Sequence, residues 1–253
     1  IHPAKYFHAL VAIAQRRGAT LHPNTAVMRV AGRRGSFRVQ SSRGEIAAAE
    51  VLVATNGYTG TATPWHRRRV VPVASNVIAT EEIGEEKVAQ LFPGFRMCGE
   101  TARILNYYRP SPDHRRIVFG GRASFSLNKS DEETAYILHR RLVSIFPQIQ
   151  GIRVSHAWSG NVAFTIDRVA HIGENDGIHY ALGCNGSGIV TMSYLGHRVA
   201  LKMLRRETEP SAFERLDMPT IPLYSGNPWF LPVVGNYYRL RDVLDRAAAP
   251  RCS

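Results

Sequence analysis

The 253-residue sequence has few cysteines, few acidic residues and no long apolar segment. Its three cysteines, Cys98, Cys184 and Cys252, form no C-x-x-C pair, so the sequence carries the pattern of neither a disulfide-rich domain nor a zinc site. No uninterrupted apolar run approaches the roughly 20 residues that a membrane helix needs. The first residues also lack the basic and then apolar segments of a signal peptide. These absences predict a cytoplasmic protein with neither a metal ion nor a membrane among its partners.

The 20 acidic residues are outnumbered by 32 lysines and arginines, which gives a formal net charge of +12. Arginines cluster at residues 16–17, 67–69 and 205–206. These clusters are short, scattered and not interleaved with aromatic residues, unlike the footprint of a nucleic-acid-binding domain. We therefore interpret the charge as a solvated, arginine-rich surface and expect no nucleic acid as a partner. A basic nucleic-acid-binding domain therefore ranks third, behind the two hypotheses about function given at the end of this section.

Hydrophobic periodicity predicts helices and strands near the start of the chain. Apolar residues recur at helical spacing between residues 7 and 14, in a helix that begins near Pro3 and ends before Gly18. Residues Val51–Ala54 form a continuous apolar run. Such a run is typical of a strand buried on both faces of a parallel sheet.

The middle of the chain differs, because its apolar segments are longer and favour antiparallel strands. A helix begins after Ser130 with the sequence of a capping box. Later segments predict two more strands, a helix that ends near Arg205 and a short helix over residues 237–246. The predicted antiparallel strands are Val70–Thr80, Ile104–Arg109 and Arg116–Arg122. The pattern as a whole predicts a mixed α/β fold.

The most informative motif is the glycine turn Gly183–Gly188, which reads G-x-x-G-x-G between a predicted strand and a predicted helix. Glycines let backbone N–H groups approach a ligand, and the helix that follows presents a partial positive charge. This arrangement stabilises a phosphate or the negative charge that builds on a flavin ring. A tight turn with close helix packing is the alternative interpretation. The spacing is not the G-x-G-x-x-G of dinucleotide-binding units, and the sequence contains no such motif.

Ten segments in order resemble the D-amino-acid-oxidase superfamily of FAD-dependent flavoproteins, and most closely its gamma-glutamylputrescine oxidoreductase-like branch. Each segment is weakly specific, but their order and spacing extend over nearly the whole chain. The segments are Ile1–Ala4 with Gly18–Thr20, Val51–Tyr58, Arg69–Val73, Ile78–Glu81, Asn106–Arg109, Phe119–Arg122, Trp158–Gly160 with Thr165–Asp167, His171–Gly173, Gly183–Gly188 and Tyr237–Leu244.

The resemblance implies an incomplete Rossmann-like FAD-binding domain and an antiparallel-sheet substrate domain. Residues 1–70 would form part of the FAD-binding domain, residues 71–155 the substrate domain, residues 156–210 a return to the FAD-binding domain, and residues 211–253 a tail with a short helix. In this family an N-terminal βαβ unit holds the ADP moiety. Because the chain lacks its G-x-G-x-x-G motif and an initiator Met, we expect a C-terminal fragment whose N-terminal segment is missing.

The resemblance also implies non-covalent FAD and a set of residues that contact it. Gly160 stands roughly where sarcosine oxidases carry a flavin-linking cysteine, so a covalent bond is not expected. Val27 would lie near the adenine, residues 54–56 near the dinucleotide linkage and the glycine turn near the flavin ring. The implied cofactor-binding residues are Val27, Ala54, Thr55, Asn56, Gly183, Asn185, Gly186, Ser187 and Gly188.

The implied reaction is oxidation of a C–N bond in an amine or amino acid by hydride transfer to the flavin, followed by hydrolysis of the imine. Tyr107, Arg109 and Trp158 are the candidate catalytic residues, and alternation would place Tyr108 on the opposite face of the strand. Residues Gly160–Ala163 lack the arginine with which D-amino-acid and glycine oxidases bind the substrate carboxylate, so a longer amine is favoured. The second hypothesis is a non-catalytic remnant or subunit that cannot bind FAD alone.

Overall fold

The computed structural model describes residues 2–123, 129–206 and 209–248. These residues form two compact units. The first comprises Ile1–Pro72 and Val162–Asn227, and the second comprises Val73–Asn161 and Pro228–Ser253. The boundary between the units at residues 227 and 228 lies within the segment after residue 210. The four-part domain division drawn from the sequence stays a prediction.

Helices and strands alternate irregularly along the chain, as in a mixed α/β fold. The helices of the described residues are α1 (Pro3–Arg16), α2 (Pro64–Arg67), α3 (Glu85–Leu91), α4 (Asp131–Ile145), α5 (Gly188–Met203) and α6 (Leu231–Ala248). The strands are β1 (Val27–Ala31), β2 (Phe37–Ser41), β3 (Gly44–Ala48), β4 (Leu52–Val53), β5 (Val71–Thr80), β6 (Cys98–Gly99), β7 (Asn106–Pro110), β8 (Ile117–Gly121), β9 (Val154–Phe164), β10 (His171–Asn175) and β11 (Ile178–Leu182).

The first unit contains two three-stranded sheets. One is the antiparallel meander β1-β2-β3, and the other has the order β10-β11-β4. In the second sheet β4 runs parallel to β11, with Leu52 opposite His179 and Val53 opposite Tyr180. The predicted parallel strand is thus confirmed, although it is short. The expectation that both of its faces are buried is wrong for these residues, because Val53 is buried whereas Leu52 is 38% exposed.

Helix α1 has the predicted bounds but packs loosely. Its N-cap His2 accepts a hydrogen bond from the backbone N–H of Lys5, and a proline occupies its first turn. None of its residues is buried, and Phe7 is 62% exposed. The hydroxyl of Tyr6 lies 2.8 Å from the Ser193 hydroxyl on α5. The apolar face of α1 is therefore left uncovered by the described part of the chain.

The second unit is built on a sheet of five strands in the order β6-β7-β8-β5-β9. The predicted strands at residues 70–80, 104–109 and 116–122 are confirmed as β5, β7 and β8, which pair antiparallel. Helix α4 begins with the predicted capping box, in which Ser130 and Glu133 bond each other's backbone N–H groups. Its Leu138 and Leu142 are fully buried in a core with residues of the sheet.

Several elements differ from the sequence predictions, among them α2 and β6, which were not predicted, and β9, which extends to Phe164. Strand β10 and the seven-residue helix α3 were not predicted, and α3 buries only Val88, which is too little to create a visible period. Helix α6 begins at Leu231 instead of Tyr237. Pro232 lies in the first turn of α6, where its missing N–H group breaks no helical hydrogen bond. The helix can therefore begin before this proline instead of after it.

Several absences hold for the described ranges. None of the helices there has both the length and the apolar character needed to cross a membrane. Those same residues contain no group of three or more His, Cys, Asp or Glu side chains placed to hold a metal ion. Cys98 and Cys184 are free thiols, and Cys252 lies outside the described residues.

Tyr107 lies across a glycine on the sheet of the second unit. It is opposite Gly120 on the neighbouring strand, and its hydroxyl is 2.7 Å from the Ser75 hydroxyl. A Cβ atom at Gly120 would overlap the Tyr107 ring. Tyr108 faces the other way and packs against Phe119 in the core, so the predicted alternation along β7 is confirmed.

His66 is buried in the first unit without a hydrogen-bond partner. Its side chain is 2% exposed, and its ring lies 5.3 Å from the Tyr180 ring. Neither ring nitrogen has a partner among the described residues. Burial, aided by the nearby charge of Arg69 and opposed by Asp176, lowers the pKa of His66 from 6.5 to about 4. His66 is therefore neutral at pH 7.

Replacing Gly120 with alanine should destabilise the protein by about 1–3 kcal/mol, because the new methyl group must displace the Tyr107 ring. The cost should fall below about 1 kcal/mol in a Tyr107→Ala background, where the space is empty. Urea unfolding of the single and double variants measures both values. Gly99→Ala is the matched control, since a Cβ atom at Gly99 meets no atom within 4 Å. Equal costs in both backgrounds would contradict the packing.

The free energy of unfolding should fall as the pH drops from 6.5 to about 4, the unfolded and folded pKa values of His66. In this window the unfolded chain binds a proton that the folded chain excludes, so stability is fully present above the window and lost below it. The contribution of His66 reaches about 3 kcal/mol. Urea titrations at about pH 7 and about pH 4.5 should show a smaller loss in His66→Phe than in the wild type. The exposed His22→Gln serves as control, and an unchanged loss in His66→Phe refutes the assignment.

Candidate functional site

The candidate site lies where β4 and β11 end. Because the two strands are parallel, the segments that follow them leave the same edge of the sheet. In open α/β sheets, ligands bind at this carboxyl edge. The segment after β4 is Ala54–Asn56, and the segment after β11 is the glycine turn Gly183–Gly188. The structure thus brings together two of the three segments predicted to bind the cofactor.

A side chain joins the two segments directly. The Oδ1 atom of Asn56 accepts hydrogen bonds from the backbone N–H groups of Gly183, at 3.2 Å, and Cys184, at 3.3 Å. Ala54 and Thr55 are exposed, and the Thr55 hydroxyl lies 2.8 Å from that of Thr59. The end of β4 therefore supports the glycine turn.

The backbone of the turn requires left-handed conformations at three positions. The φ angles are +84° at Gly183, +47° at Asn185 and +91° at Gly186. A Cβ atom at Gly183 would also overlap the Thr165 methyl group, whereas one at Gly186 would meet no atom within 4 Å. Glycine at 183 is thus needed for both packing and conformation, and glycine at 186 for conformation alone.

Asn185 directs its side chain into the turn. Its Nδ2 group donates to the carbonyl oxygen of Gly183 at 2.7 Å, and its Oδ1 atom accepts from the backbone N–H of Thr165 at 3.1 Å. Its own backbone N–H donates to Ala163 at 2.9 Å. The side chain of this predicted cofactor-binding residue therefore makes its hydrogen bonds within the protein.

The turn leads into α5, whose N-terminus is open. The N-cap residue Ser187 makes no side-chain capping bond, and no acidic residue lies in the first turn. Gly186, Ser187 and Ile189 are exposed. Farther along, Leu195 and Val199 are fully buried against β10 and β11, which fixes the axis of the helix. The first N–H groups of α5 and its positive dipole end are thus available to an electron-rich ligand.

Val27 is not part of this arrangement. It is the first residue of β1, is 46% exposed and pairs with Ser41. Within the described ranges no hydrogen bond connects Val27 to the glycine turn. Its predicted position near an adenine stays a prediction.

The candidate catalytic residues lie on the sheet that belongs mainly to the second unit. Tyr107 and Arg109 share one face of β7, and the Nη1 group of Arg109 lies 3.4 Å from the carbonyl oxygen of Pro110. Trp158 is 46% exposed on β9. Strands β7 and β9 are separated by β8 and β5, a span of about 14 Å. The structure therefore brings Tyr107 and Arg109 together and leaves Trp158 at a distance.

Sequence reasoning missed three residues that shape these sites. Thr165 and Gly120 lie within segments that carry the family resemblance. The backbone N–H of Thr165 donates to Asn185, and the missing side chain of Gly120 makes room for the Tyr107 ring. Ser75, which holds the Tyr107 hydroxyl, has no signal in the sequence. Its role depends on the pairing of β5 with β8, which only the folded sheet reveals.

Comparison with curated proteins finds relatives of about twice the matched length. The chain is 31% identical over 212 residues to gamma-glutamylputrescine oxidoreductase from Escherichia coli strain K12. This alignment covers 81% of this chain and 49% of that protein. It is 28% identical over 246 residues to the probable oxidoreductase OrdL of Rhizobium meliloti, and this alignment covers 96% of this chain and 56% of that protein. The chain therefore spans about half the length of these relatives.

Solved structures show a similar fold. Glycine oxidase from Geobacillus kaustophilus matches with a TM-score of 0.65 at 20% identity, covering 85% of this chain and 56% of that one. Fructosamine oxidase (Amadoriase II) from Aspergillus fumigatus matches with a TM-score of 0.63 at 19% identity, covering 87% and 58%. Together with the sheets described above, these matches confirm the predicted mixed α/β fold with antiparallel sheets.

The profile of the family described as "DAO: FAD dependent oxidoreductase" matches residues 1–201. This match covers more than half of the chain and agrees with the resemblance found in the ten sequence segments. The chain therefore belongs to the DAO family of FAD-dependent oxidoreductases, and its cofactor is FAD.

Proposed function

We propose that this chain is part of an enzyme that oxidises a C–N bond in an amine or amino acid. FAD, when bound, supplies a two-electron acceptor. The substrate loses a hydride from the carbon next to nitrogen and a proton from the nitrogen, which leaves an imine. Water then hydrolyses the imine to a carbonyl compound and an amine. The family assignment and the named activity of the E. coli relative support this proposal.

The open N-terminus of α5 is the observation that carries the proposal. The backbone N–H groups of Gly186 and Gly188 would hold the electron-rich edge of the flavin, whereas that of Ser187 donates to the carbonyl oxygen of Cys184 at 2.9 Å. The dipole of α5 would favour the negative charge that the ring gains on reduction. The residues fit this role because the first turn has no acidic side chain and no side-chain cap that competes for the N–H groups. Ala54, Thr55 and Asn56 would lie near the dinucleotide linkage, and Val27 near the adenine.

Tyr107 and Arg109 would position the substrate. The Tyr107 hydroxyl is held by Ser75 and its ring occupies the space beside Gly120, so the hydroxyl has a fixed direction. Arg109 is half-buried on the same face, and its guanidinium group would pair with a substrate carboxylate through two parallel hydrogen bonds. Trp158 on β9, the edge strand three positions from β7, would contact the substrate through its exposed ring.

A longer amine fits better than a simple α-amino acid. Residues Gly160–Ala163 offer no arginine for an α-carboxylate beside the reacting carbon. A carboxylate bound by Arg109 would then belong to a part of the substrate distant from the oxidised carbon. Gamma-glutamylputrescine, on which the E. coli relative is named to act, has this design.

The protein that carries this chain, purified with FAD, should lose its flavin absorbance under anaerobic conditions when gamma-glutamylputrescine is added. Glycine and L-proline should bleach the flavin at least about tenfold more slowly, because their carboxylates lie next to the reacting carbon. Stopped-flow absorbance gives both rates. Faster reduction by glycine would contradict the substrate class, and no reduction by any amine would contradict the reaction.

Arg109→Gln should raise the KM for gamma-glutamylputrescine by about tenfold or more, the effect of losing charged hydrogen bonds. The KM for N-acetylputrescine, which lacks a carboxylate, should change little. Steady-state kinetics of the two substrates with the two proteins separates carboxylate recognition from general damage. Equal changes for both substrates argue against the assigned role.

Flavin binding is proposed to require more protein surface than these 253 residues supply. The chain spans about half the length of its curated relatives. On α1, Phe7 is 62% and Ile13 47% exposed, and Leu52 on β4 is 38% exposed. Apolar side chains on one face of a helix are normally covered by another element. The family's N-terminal βαβ unit would cover such surfaces and bind the ADP moiety.

The isolated 253-residue chain should therefore retain little FAD after gel filtration, measured as flavin absorbance per chain. A longer protein that carries this chain together with an N-terminal segment, and so reaches about the length of the curated relatives, should bind stoichiometric flavin. Stoichiometric FAD in the isolated chain would contradict the proposal. If the longer protein also bound no FAD, the second hypothesis, a non-catalytic remnant or subunit, would hold.

A further inference from the structure

We infer that Asn56 is a positioning residue with two functions. Its side-chain oxygen fastens the glycine turn to the end of β4, and its side-chain NH₂ group is left to donate to a ligand. The first function follows from the hydrogen bonds of the structure alone. The second rests on the proposed function.

The fastening consists of two bonds to one acceptor. The Oδ1 atom of Asn56 accepts from the N–H groups of Gly183 at 3.2 Å and Cys184 at 3.3 Å. Both of these residues are buried, and a buried N–H group without an acceptor is costly. Since α5 begins at Gly188, a shift of these two residues moves the start of the helix. The asparagine oxygen thereby sets where the first N–H groups of α5 point.

The backbone at residue 56 explains why asparagine occupies it. Its φ angle is +47°, in the left-handed region that asparagine adopts more readily than most other residues. Its carbonyl oxygen accepts bonds from the N–H and the hydroxyl of Thr59, at 3.2 and 2.7 Å. The backbone is thus fixed, and the side chain needs only its own two torsions to reach Gly183.

Comparison with Asn185 shows what is particular to Asn56. Asn185 uses both ends of its amide within the protein, on Gly183 and Thr165. Asn56 uses only its oxygen, and among the described residues its Nδ2 group has no acceptor. Two backbone donors face the oxygen, which fixes the orientation of the amide. The NH₂ group of the half-buried Asn56 is therefore presented at the same sheet edge as the N-terminus of α5.

Two variants separate the functions. Asn56→Asp keeps an oxygen acceptor for both N–H groups but replaces the NH₂ donor with a negatively charged oxygen. Asn56→Ala removes both. In the ¹⁵N-labelled chain without FAD, amide hydrogen exchange at Gly183 and Cys184 should be about tenfold or more faster in Asn56→Ala and near the wild-type rate in Asn56→Asp.

The wild type provides a test that does not depend on the variants folding. Its Gly183 and Cys184 amides should exchange at least about tenfold more slowly than that of Gly186, for which no acceptor is found among the described residues. Rapid exchange at both amides in the wild type, or unchanged exchange in a folded Asn56→Ala, overturns the fastening. Equal acceleration in Asn56→Asp and Asn56→Ala overturns it as well.

The NH₂ function is tested by FAD affinity in the longer protein that carries this chain. Asn56→Asp should weaken FAD on the order of tenfold although its exchange protection is kept, because the carboxylate repels the anionic cofactor. Wild-type affinity in Asn56→Asp overturns this function while leaving the fastening intact. If the wild-type protein binds no FAD, the proposed function and the NH₂ function fail together, and the exchange rates still decide the fastening.

Discussion

The candidate site depends on the parallel pairing of β4 with β11. The pairing has only two residue pairs, yet it places the segments after both strands at one edge of the sheet. Side chains around His179 reinforce it. The His179 ring lies 3.2 Å from a Glu50 carboxylate oxygen, and Arg34 bonds both Glu50 and Glu174. Because Glu50 precedes β4 and Glu174 lies on β10, these side-chain contacts hold the register of the three strands.

The pairing turns a local sequence feature into a binding geometry. A glycine-rich strand-to-helix turn alone is compatible with ordinary close packing. Joined to the end of β4 through Asn56, the same turn holds α5 with an uncapped N-terminus at a carboxyl sheet edge. The chain carries a formal net charge of +12, and the first turn of α5 has no acidic side chain that would oppose the helix dipole. The electrostatics therefore favour an anionic or electron-rich ligand there.

Elements encoded by neighbouring residues could be predicted from the sequence. The start of α4 follows from Ser130 and Glu133, and the long strands of the second unit follow from their apolar segments. Contacts between distant residues could not. Asn56 and Gly183 are 127 positions apart, and the resemblance placed both near the cofactor without indicating that they bond each other. The exposure of Leu52 was missed because an apolar run does not reveal what covers each face.

The glycines of the family segments have different physical reasons. Gly120 and Gly183 are required by neighbours, the Tyr107 ring and the Thr165 methyl group, so their absence of a side chain serves packing. Gly186 has open space around its Cβ position and a φ angle of +91°. A side chain there would meet no protein atom, so glycine at 186 serves the backbone conformation alone. The shape of the turn therefore depends on Gly183 and Gly186 through their left-handed backbones, and on Asn185 and Asn56 through their side-chain hydrogen bonds.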